Sequence, residues 1–224
     1  MKVRFLTATT AVMFLVITFA FCAGVHGKII ELFEDDAKFI DKIPNQDAPT
    51  DIKNDSTVKY RGAISLRLES QGVNNGQKYN PNVPGWSYII TQKPGADDEA
   101  RWIMFVWKKD GGDGIMIQFP SSGAWGVQQN GGRYFDGVND TGWPGIQLAK
   151  DIPEDWEVQI RDLFDDFGKF TLTGIALTQY NNVGYYDSIY LAWTEDELKK
   201  MLNEWNPVEP HDKLPTVWGD IKSR

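Results

Sequence analysis

The sequence has few of the side chains that carry polar chemistry. Among 224 residues there are one cysteine (Cys22) and two histidines (His26 and His211), and Cys22 and His26 fall in an N-terminal segment with the pattern of a leader. The rest of the chain therefore has no cysteine for a disulfide. G-x-S-x-G, H-E-x-x-H, P-loop and dinucleotide motifs are absent. These absences favour a protein that holds a ligand over one that transforms it.

Residues 1–27 have the pattern of a secretory signal peptide. Lys2 and Arg4 precede a nearly uncharged apolar run over 5–23, which small residues then close. The alternative is a retained membrane anchor, since the run approaches the length that spans a bilayer. Two features favour cleavage over retention: small residues directly follow the run, and no basic stop-transfer cluster does. We therefore expect a secreted or extracytoplasmic protein of the periplasm or cell envelope.

The chain carries more negative than positive charge. Lys and Arg number 23 against 31 Asp and Glu, which gives a formal net charge of −8. Such a chain repels phosphate backbones and anionic lipids, which disfavours nucleic acid and, beyond the signal segment, a membrane as partners. Neutral glycans and cations are compatible with this net charge as partners.

The pattern after the leader predicts an all-β domain over residues 28–205. Apolar and polar positions alternate, with β-branched and aromatic enrichment, in seven short runs separated by Gly, Asn, Asp and Pro. These runs are 63–68, 86–91, 101–108, 114–119, 156–161, 171–178 and 185–193. Many short strands with frequent turns are typical of an antiparallel β-sandwich, here predicted to be a jelly roll.

Three local signals refine this fold. The runs 101–108 and 115–119 flank the glycine-rich segment 110–114, which predicts a hairpin. The capping-box spacing of Thr194 and Glu197, followed by apolar residues on one face, predicts a short C-terminal helix to about Glu204, and 162–167 has the pattern of a shorter one. Three prolines in 206–224 predict an irregular tail.

The chain is rich in tryptophan. The nine are Trp86, Trp102, Trp107, Trp125, Trp143, Trp156, Trp193, Trp205 and Trp218. Flat aromatic faces suit sugar rings, and planar polar groups suit their hydroxyls. The region 121–145, read as a loop, combines both. With Trp86, it supplies the predicted ligand-binding residues, which are Trp86, Trp125, Arg133, Tyr134, Asp136, Asn139 and Trp143.

The alternative reading of these aromatics is packing, in which Trp125 and Trp143 cover the ends of the sandwich. Trp102 and Trp107 are separated by an odd number of residues, so they lie on opposite faces of a strand. At most one of them points into a single-faced core. Core or edge packing is the favoured role for this pair.

Six segments within roughly residues 60–195 form a recognisable set. They are PGW (84–86), WKKDGG (107–112), GIMIQ (114–118), RDLFDDFG (161–168), FTLTGIA (170–176) and YDSIYLA (186–192). Together they resemble a β-sandwich module of secreted planctomycete-type bacterial proteins. More broadly, they are similar to galactose-binding-like jelly rolls, the architecture of many carbohydrate-binding modules. The resemblance implies a β-sandwich that binds sugars.

The resemblance also implies a structural calcium ion. Similar jelly rolls often hold Ca²⁺ between the first and last strands, and Ca²⁺ takes six to eight oxygen ligands. The predicted ligands are Glu31, Asp36 and Asp187, and Glu34 and Asp35 stand beside the first two. The alternative is a solvated acidic segment and one aspartate that caps a turn.

The leading functional prediction is non-catalytic binding of a polysaccharide or other glycan outside the cytoplasm. The main alternative is a structural or protein-interaction module of the cell envelope, in which the aromatics are mostly core. A polysaccharide-active enzyme ranks third. Its candidate acid–base pairs would be Asp162 with Asp165 or Asp166, or Glu154 with Asp155, and the pair Arg133–Tyr134 would be the remnant of a lyase site.

Overall fold

The computed structural model describes residues 27–70 and 75–205. These residues form fourteen strands, which are β1 (Ile29–Phe33), β2 (Thr50–Asp55), β3 (Ser65–Ser70), β4 (Asn75–Asn80), β5 (Tyr88–Ile90), β6 (Glu99–Ala100), β7 (Trp102–Asp110), β8 (Gly114–Gln118), β9 (Arg133–Gly137), β10 (Ile146–Ala149), β11 (Glu157–Asp162), β12 (Phe170–Leu172), β13 (Ile175–Tyr180) and β14 (Val183–Ala192). The helices are α1 (Phe39–Lys42), α2 (Leu163–Phe167) and α3 (Glu195–Trp205), with one 3₁₀ turn at Gln129–Gly132. The chain is an all-β sandwich with a short C-terminal helix, as the strand pattern predicted.

Two larger sheets and one small sheet account for these strands. The six-stranded sheet has the order β11-β7-β14-β3-β2, with β1 pairing the second half of β14. The five-stranded sheet has the order β10-β9-β8-β13-β4, and the three-stranded sheet has the order β12-β5-β6. The pairs are antiparallel except β9 with β10 and β5 with β6. The antiparallel prediction therefore holds for most of the structure.

The main core lies between the six- and five-stranded sheets. Alternate residues of each strand point into it, such as Phe105 and Trp107 from β7, and Ile115 and Ile117 from β8. All four are fully buried. The opposite face of β7 carries Trp102 and Met104, which pack in a separate cluster. The prediction that Trp102 and Trp107 lie on opposite faces is confirmed.

The hairpin prediction for 101–119 is wrong. β7 belongs to the six-stranded sheet and β8 to the five-stranded sheet, so the glycine-rich segment between them carries the chain from one sheet to the other. Gly112 has a positive φ of 83°, and a Cβ there would come within 2.4 Å of the Asn181 carbonyl oxygen. A turn that permits positive φ is common to hairpins and crossovers, and the local pattern does not distinguish them.

Other boundaries also differ from the pattern. The predicted strand 171–178 is two strands in different sheets, β12 and β13, and they separate at Gly174. A Cβ at Gly174 would lie 2.0 Å from the Asn80 carbonyl oxygen, so a glycine is needed where β4 ends against this bend. The region 121–145 is not simply a loop, because it contains β9, an inner strand of the five-stranded sheet.

Helix α3 confirms the capping-box prediction. Glu197 Oε2 accepts hydrogen bonds from the Thr194 backbone N–H at 2.9 Å and from the Thr194 hydroxyl at 3.0 Å. The helix lays Leu198, Met201 and Trp205 on the outer face of the six-stranded sheet. No helix in the described part of the chain is long and apolar enough to cross a membrane. The predicted signal segment up to residue 26 and the predicted tail 206–224 lie outside the described residues.

Candidate ligand-binding cleft

A row of side chains crosses the outer face of the five-stranded sheet. Tyr79 on β4, Ala176 on β13, Gln118 on β8 and Arg133 on β9 are successive partners in the strand register. Alternate residues of each strand point into the core, and the residues of this row are the ones between them, so their side chains point outward from the sandwich. The outer face of this sheet is therefore lined by polar and aromatic groups.

Hydrogen bonds fix the orientation of the polar groups on this face. Arg133 Nε donates to Gln118 Oε1 at 2.6 Å, and Gln118 Nε2 donates to Thr178 Oγ1 at 2.9 Å. All three residues are buried. Because these hydrogen bonds fix the Gln118 amide and the Nε side of the Arg133 guanidinium, the three side chains form a rigid surface, here called the floor.

The 3₁₀ turn before β9 places the Arg133 guanidinium. Arg133 Nη1 donates to the Gly131 carbonyl oxygen at 2.7 Å and to the Pro144 carbonyl oxygen at 3.4 Å. Gly131 has a φ of 75°, and a Cβ there would lie 2.3 Å from the Pro144 oxygen, so the turn and the loop after β9 pack backbone to backbone. Burial lowers the pKa of Arg133, because it disfavours the charged form.

Aromatic side chains stand above the floor. Trp125 meets Tyr79 edge to face, with ring centroids 5.9 Å apart and planes at 85°. The Tyr79 hydroxyl donates to Asp47 Oδ1 at 2.8 Å. Trp143 is 56% exposed, and its ring lies 5.5 Å from the Arg133 guanidinium carbon. Trp143 therefore offers solvent a large apolar surface beside the floor.

Asn139 holds the loop that carries Trp143. Its Oδ1 accepts hydrogen bonds from the Thr141 backbone N–H at 3.1 Å and from the Thr141 hydroxyl at 2.6 Å. Its Nδ2 donates to the Trp143 carbonyl oxygen at 3.0 Å, and the Trp143 N–H donates to Thr141 Oγ1 at 3.1 Å. Asn139 positions the tryptophan rather than facing the space beside it.

The floor and the aromatic groups enclose a cleft with a volume of about 410 Å³. This is within the range of small-molecule sites in proteins. Its lining residues combine carboxylate, amide, hydroxyl, guanidinium and aromatic groups. They are Asp47, Asn75, Gln77, Tyr79, Gln118, Trp125, Arg133, Asp140, Thr141 and Trp143.

The structure brings three of the predicted ligand-binding residues together on the cleft, namely Trp125, Arg133 and Trp143. Tyr134 alternates with Arg133 on β9, so it points into the core and is fully buried. Trp86 is away from the cleft lining and packs against Phe39, with ring centroids 6.2 Å apart.

Asp136 also points inward from β9 and is fully buried. Its Oδ1 accepts the Ala149 backbone N–H at 2.6 Å, and its side chain also interacts with that of the buried Trp107. Burial raises the pKa of Asp136 to about 7, and the charge of Glu157 adds to the rise. Asp136 is thus a buried carboxyl of the sandwich interior.

Sequence reasoning missed most of the cleft. Asn75, Gln77 and Tyr79 alternate along β4, a strand that the pattern did not predict. Gln118 ends the apolar strand β8, and the pattern of the run 114–119 predicted no role in a site for it. A lone polar residue in an apolar strand, and a polar–aromatic alternation at period two, are the signals that would have found them.

The three predicted calcium ligands do not form one group. Asp36 lies in an ion pair with Lys42 at 2.7 Å, and that hydrogen bond lowers its pKa. Glu31 lies on β1 opposite Tyr190, and Asp187 Oδ2 accepts the Tyr60 N–H at 2.8 Å. In the described ranges, no set of three or more His, Cys, Asp or Glu is placed to hold a metal ion. The calcium ion stays a prediction.

Asp187 instead lies near a different carboxylate, Glu34. Burial raises the pKa of Asp187 to about 6, and the negative charge of Glu34 adds to the rise. Glu34 is itself buried, with the Tyr190 hydroxyl donating to its Oε2 at 3.0 Å. The Arg61 guanidinium lies 3.4 Å from Glu34 Oε1 without forming a hydrogen bond.

The aspartates considered as an acid–base pair support helix α2. Asp162 caps it by accepting the backbone N–H groups of residues 164 and 165, and Arg101 pairs with Asp162 at 2.6 Å and with Asp165 at 3.2 Å. Asp166 pairs with Arg161 at 2.9 Å and accepts the hydroxyl hydrogen of the buried Tyr134. Each of the three is held by a guanidinium group.

Comparison with known proteins finds likeness in structure alone. No protein-family model and no curated protein matches the chain. The similar solved structures include the glycoside hydrolase domain of Endo-D from Streptococcus pneumoniae R6, at 11% identity and a TM-score of 0.44 over 67% of this chain. This chain spans about a fifth of that structure, 21%.

Several other similar structures are carbohydrate-binding modules. The family 29 module CBM29_1 from Piromyces equi matches at 10% identity and a TM-score of 0.35, over 75% of this chain and 92% of that one. A family 30 module matches at 15% identity and a TM-score of 0.41, over 73% of this chain and 98% of that one. All three TM-scores lie below 0.5.

Proposed function

We propose that the cleft binds a carbohydrate chain without transforming it. One observation supports the proposal above the others: Trp125 and Trp143 stand on the same cleft as the amides of Gln77 and Gln118. An aromatic face covers the apolar C–H side of a sugar ring, while an amide both donates to and accepts from its hydroxyls. The cleft supplies both kinds of group at one place.

The expected affinity is modest. Each stacked aromatic with its associated hydrogen bonds contributes on the order of 1–2 kcal/mol, and a few such contacts give roughly micromolar to millimolar dissociation constants. The hydrogen-bonded floor reduces the ordering cost, because Gln118 and Arg133 are already fixed before a ligand arrives.

Two further parts of the proposal rest on the sequence. The leader pattern over 1–27 supports action outside the cytoplasm. Calcium also remains part of the proposal.

The test is retention of the purified protein on a panel of insoluble and gel-embedded polysaccharides, with calcium and with a chelator. We expect retention on one glycan class, and its loss in Trp125→Ala and Trp143→Ala variants that keep the wild-type circular dichroism spectrum. Trp156→Ala is the matched control, since Trp156 packs on Tyr185 of the other sheet.

The other outcomes separate the alternatives. Loss of retention with chelator alone would indicate an ion that builds the fold or the cleft. Retention unchanged in both cleft variants would move the site elsewhere. A folded protein that no polysaccharide retains would contradict sugar binding and favour the envelope interaction module.

A further inference from the structure

Arg133 differs from the other arginines of the described chain. Four of the five pair with a carboxylate: Arg61 with Glu34, Arg67 with Glu69, Arg101 with Asp162 and Arg161 with Asp166. Arg133 is the most buried of them, at 3% exposure, yet no carboxylate of residues 27–70 or 75–205 lies within ion-pair distance of it. A buried charge without a counter-charge is unfavourable for folding.

The hydrogen bonds of Arg133 leave one edge of the guanidinium for a ligand. Nε and Nη1 donate to neutral oxygens, which are those of the Gln118 amide and of the Gly131 and Pro144 carbonyl groups. A guanidinium has five N–H donors. The two hydrogens of Nη2 have no acceptor among the described residues. The residue lines the cleft, so an acceptor for Nη2 can come from a bound molecule.

Two carboxylates share the cleft with Arg133, and neither lies within ion-pair distance of it. Asp47 and Asp140 are the acidic residues on the cleft lining. Asp47 Oδ1 is occupied by the Tyr79 hydroxyl, and Asp140 is exposed to solvent, where water and salt screen its charge. Arg133 is therefore the one positive charge among the residues of the cleft lining, and a carboxylate of a bound ligand can supply the counter-charge that Asp47 and Asp140 do not.

We propose that the ligand is an acidic glycan, a chain whose sugars carry carboxylates, and that Arg133 binds one of those carboxylates through Nη2. The inference rests on the proposed function and names the ligand class of the same cleft. A carboxylate forms charge-assisted hydrogen bonds to a guanidinium, about twice as strong as those of a hydroxyl. It also supplies the missing counter-charge. Trp143 beside the guanidinium shields the pair from water.

The test compares matched oligosaccharides by isothermal titration calorimetry. Each acidic probe is paired with its carboxyl-reduced twin, in which a neutral CH₂OH group replaces the carboxylate. The probes are oligogalacturonate, glucuronate-substituted xylo-oligosaccharides and alginate oligosaccharides. We expect at least one acidic probe to bind wild-type protein roughly tenfold or more tightly than its twin, with an affinity that falls as salt is added.

Variants locate the effect. Arg133→Met is expected to abolish the preference for the acidic twin, and Arg133→Lys to keep part of it, because lysine keeps the charge and loses the planar fork. Arg67→Met is the control, since Arg67 pairs with Glu69 on the other sheet, and it should leave the preference unchanged. If Arg133→Met does not fold, the twin comparison on wild-type protein still decides the question.

Failure of this inference can be told from failure of the proposed function. Equal binding of acidic and reduced twins would overturn the acidic ligand while sugar binding stands. A preference for sulfated over carboxylated probes, measured with chondroitin sulfate and its desulfated form, would also overturn it. Binding of none of these probes or of the polysaccharide panel would overturn both.

Discussion

The outer faces of the two large sheets differ in what covers them. On the six-stranded sheet, Met104, Tyr190 and Ala192 point outward and helix α3 covers them with Leu198. On the five-stranded sheet, Gln118 and its polar neighbours point outward, and loops rise around them without closing the space. Covering an apolar outer face with a helix stabilises the fold, because it removes apolar surface from water. A polar, hydrogen-bonded face can remain open to a ligand. Substitutions on the two faces should therefore affect different properties.

Leu198→Ala should give the largest effect on stability. Leu198 is fully buried between α3 and the sheet, so removal of its side chain leaves a cavity that costs about 2–5 kcal/mol of unfolding free energy. Affinity for the glycan should not change. Urea unfolding followed by circular dichroism measures the first quantity and calorimetry the second. Lys200→Ala, exposed on the same helix, is the control; an equal loss of stability there would mean that the effect does not come from the buried contact of Leu198.

Asp136→Asn should change how stability depends on pH, because Asp136 on β9 points into the sandwich interior, whereas Arg133 on the same strand lines the cleft. The native pKa of Asp136, about 7, lies above its unfolded value of 3.8, so the native state holds its proton more tightly. Wild-type stability should therefore fall as pH rises from about 4 to about 7 and then level off, by about 4 kcal/mol relative to the variant. Unfolding curves across this pH range measure the difference. The exposed Asp140→Asn should follow the wild-type curve, and an Asp136→Asn curve parallel to wild type would contradict the assignment.

Thr194→Ala should destabilise helix α3 without unfolding it. The Thr194 hydroxyl and backbone both donate to Glu197, and Thr194 Oγ1 also accepts the Glu197 N–H at 3.4 Å. Loss of an N-cap costs about 1 kcal/mol, so thermal unfolding should shift down while glycan affinity stays constant. Thr194→Ser keeps the hydroxyl and should keep the stability. A loss of affinity in Thr194→Ala would show that the two faces are coupled.

Gln77→Ala should have the smallest effect, and on binding alone. Gln77 lies on the open cleft, so we expect a loss of affinity of about threefold to tenfold, near 1 kcal/mol, with a change in stability below about 0.5 kcal/mol. Calorimetry with the retained glycan measures it. Gln92→Ala, exposed and away from the cleft lining, is the matched control. A stability loss as large as that of Leu198→Ala would refute the division between the two faces.

How much of the cleft was predictable depends on which residues are considered. Trp125 and Trp143 were predicted because aromatics among glycines are conspicuous in a sequence, and both line the cleft. Arg133, Tyr134 and Asp136 were read as neighbours in one loop. They lie on a strand, which sends Arg133 to the cleft and the other two to the core. A strand beside a glycine-rich turn has too few residues to reveal its period, so the alternation was missed.

The sequence by itself determined the class of the fold, the faces of the long strand β7 and the start of helix α3. These depend on local backbone preference and on the period of side chains along one element. The tertiary structure decided that the glycine-rich segment between β7 and β8 crosses between sheets, and that β4, β8 and β9 bring Gln77, Gln118 and Arg133 to one surface. Strand neighbours are chosen by how apolar faces pack together, and that choice depends on contacts between residues distant in the chain.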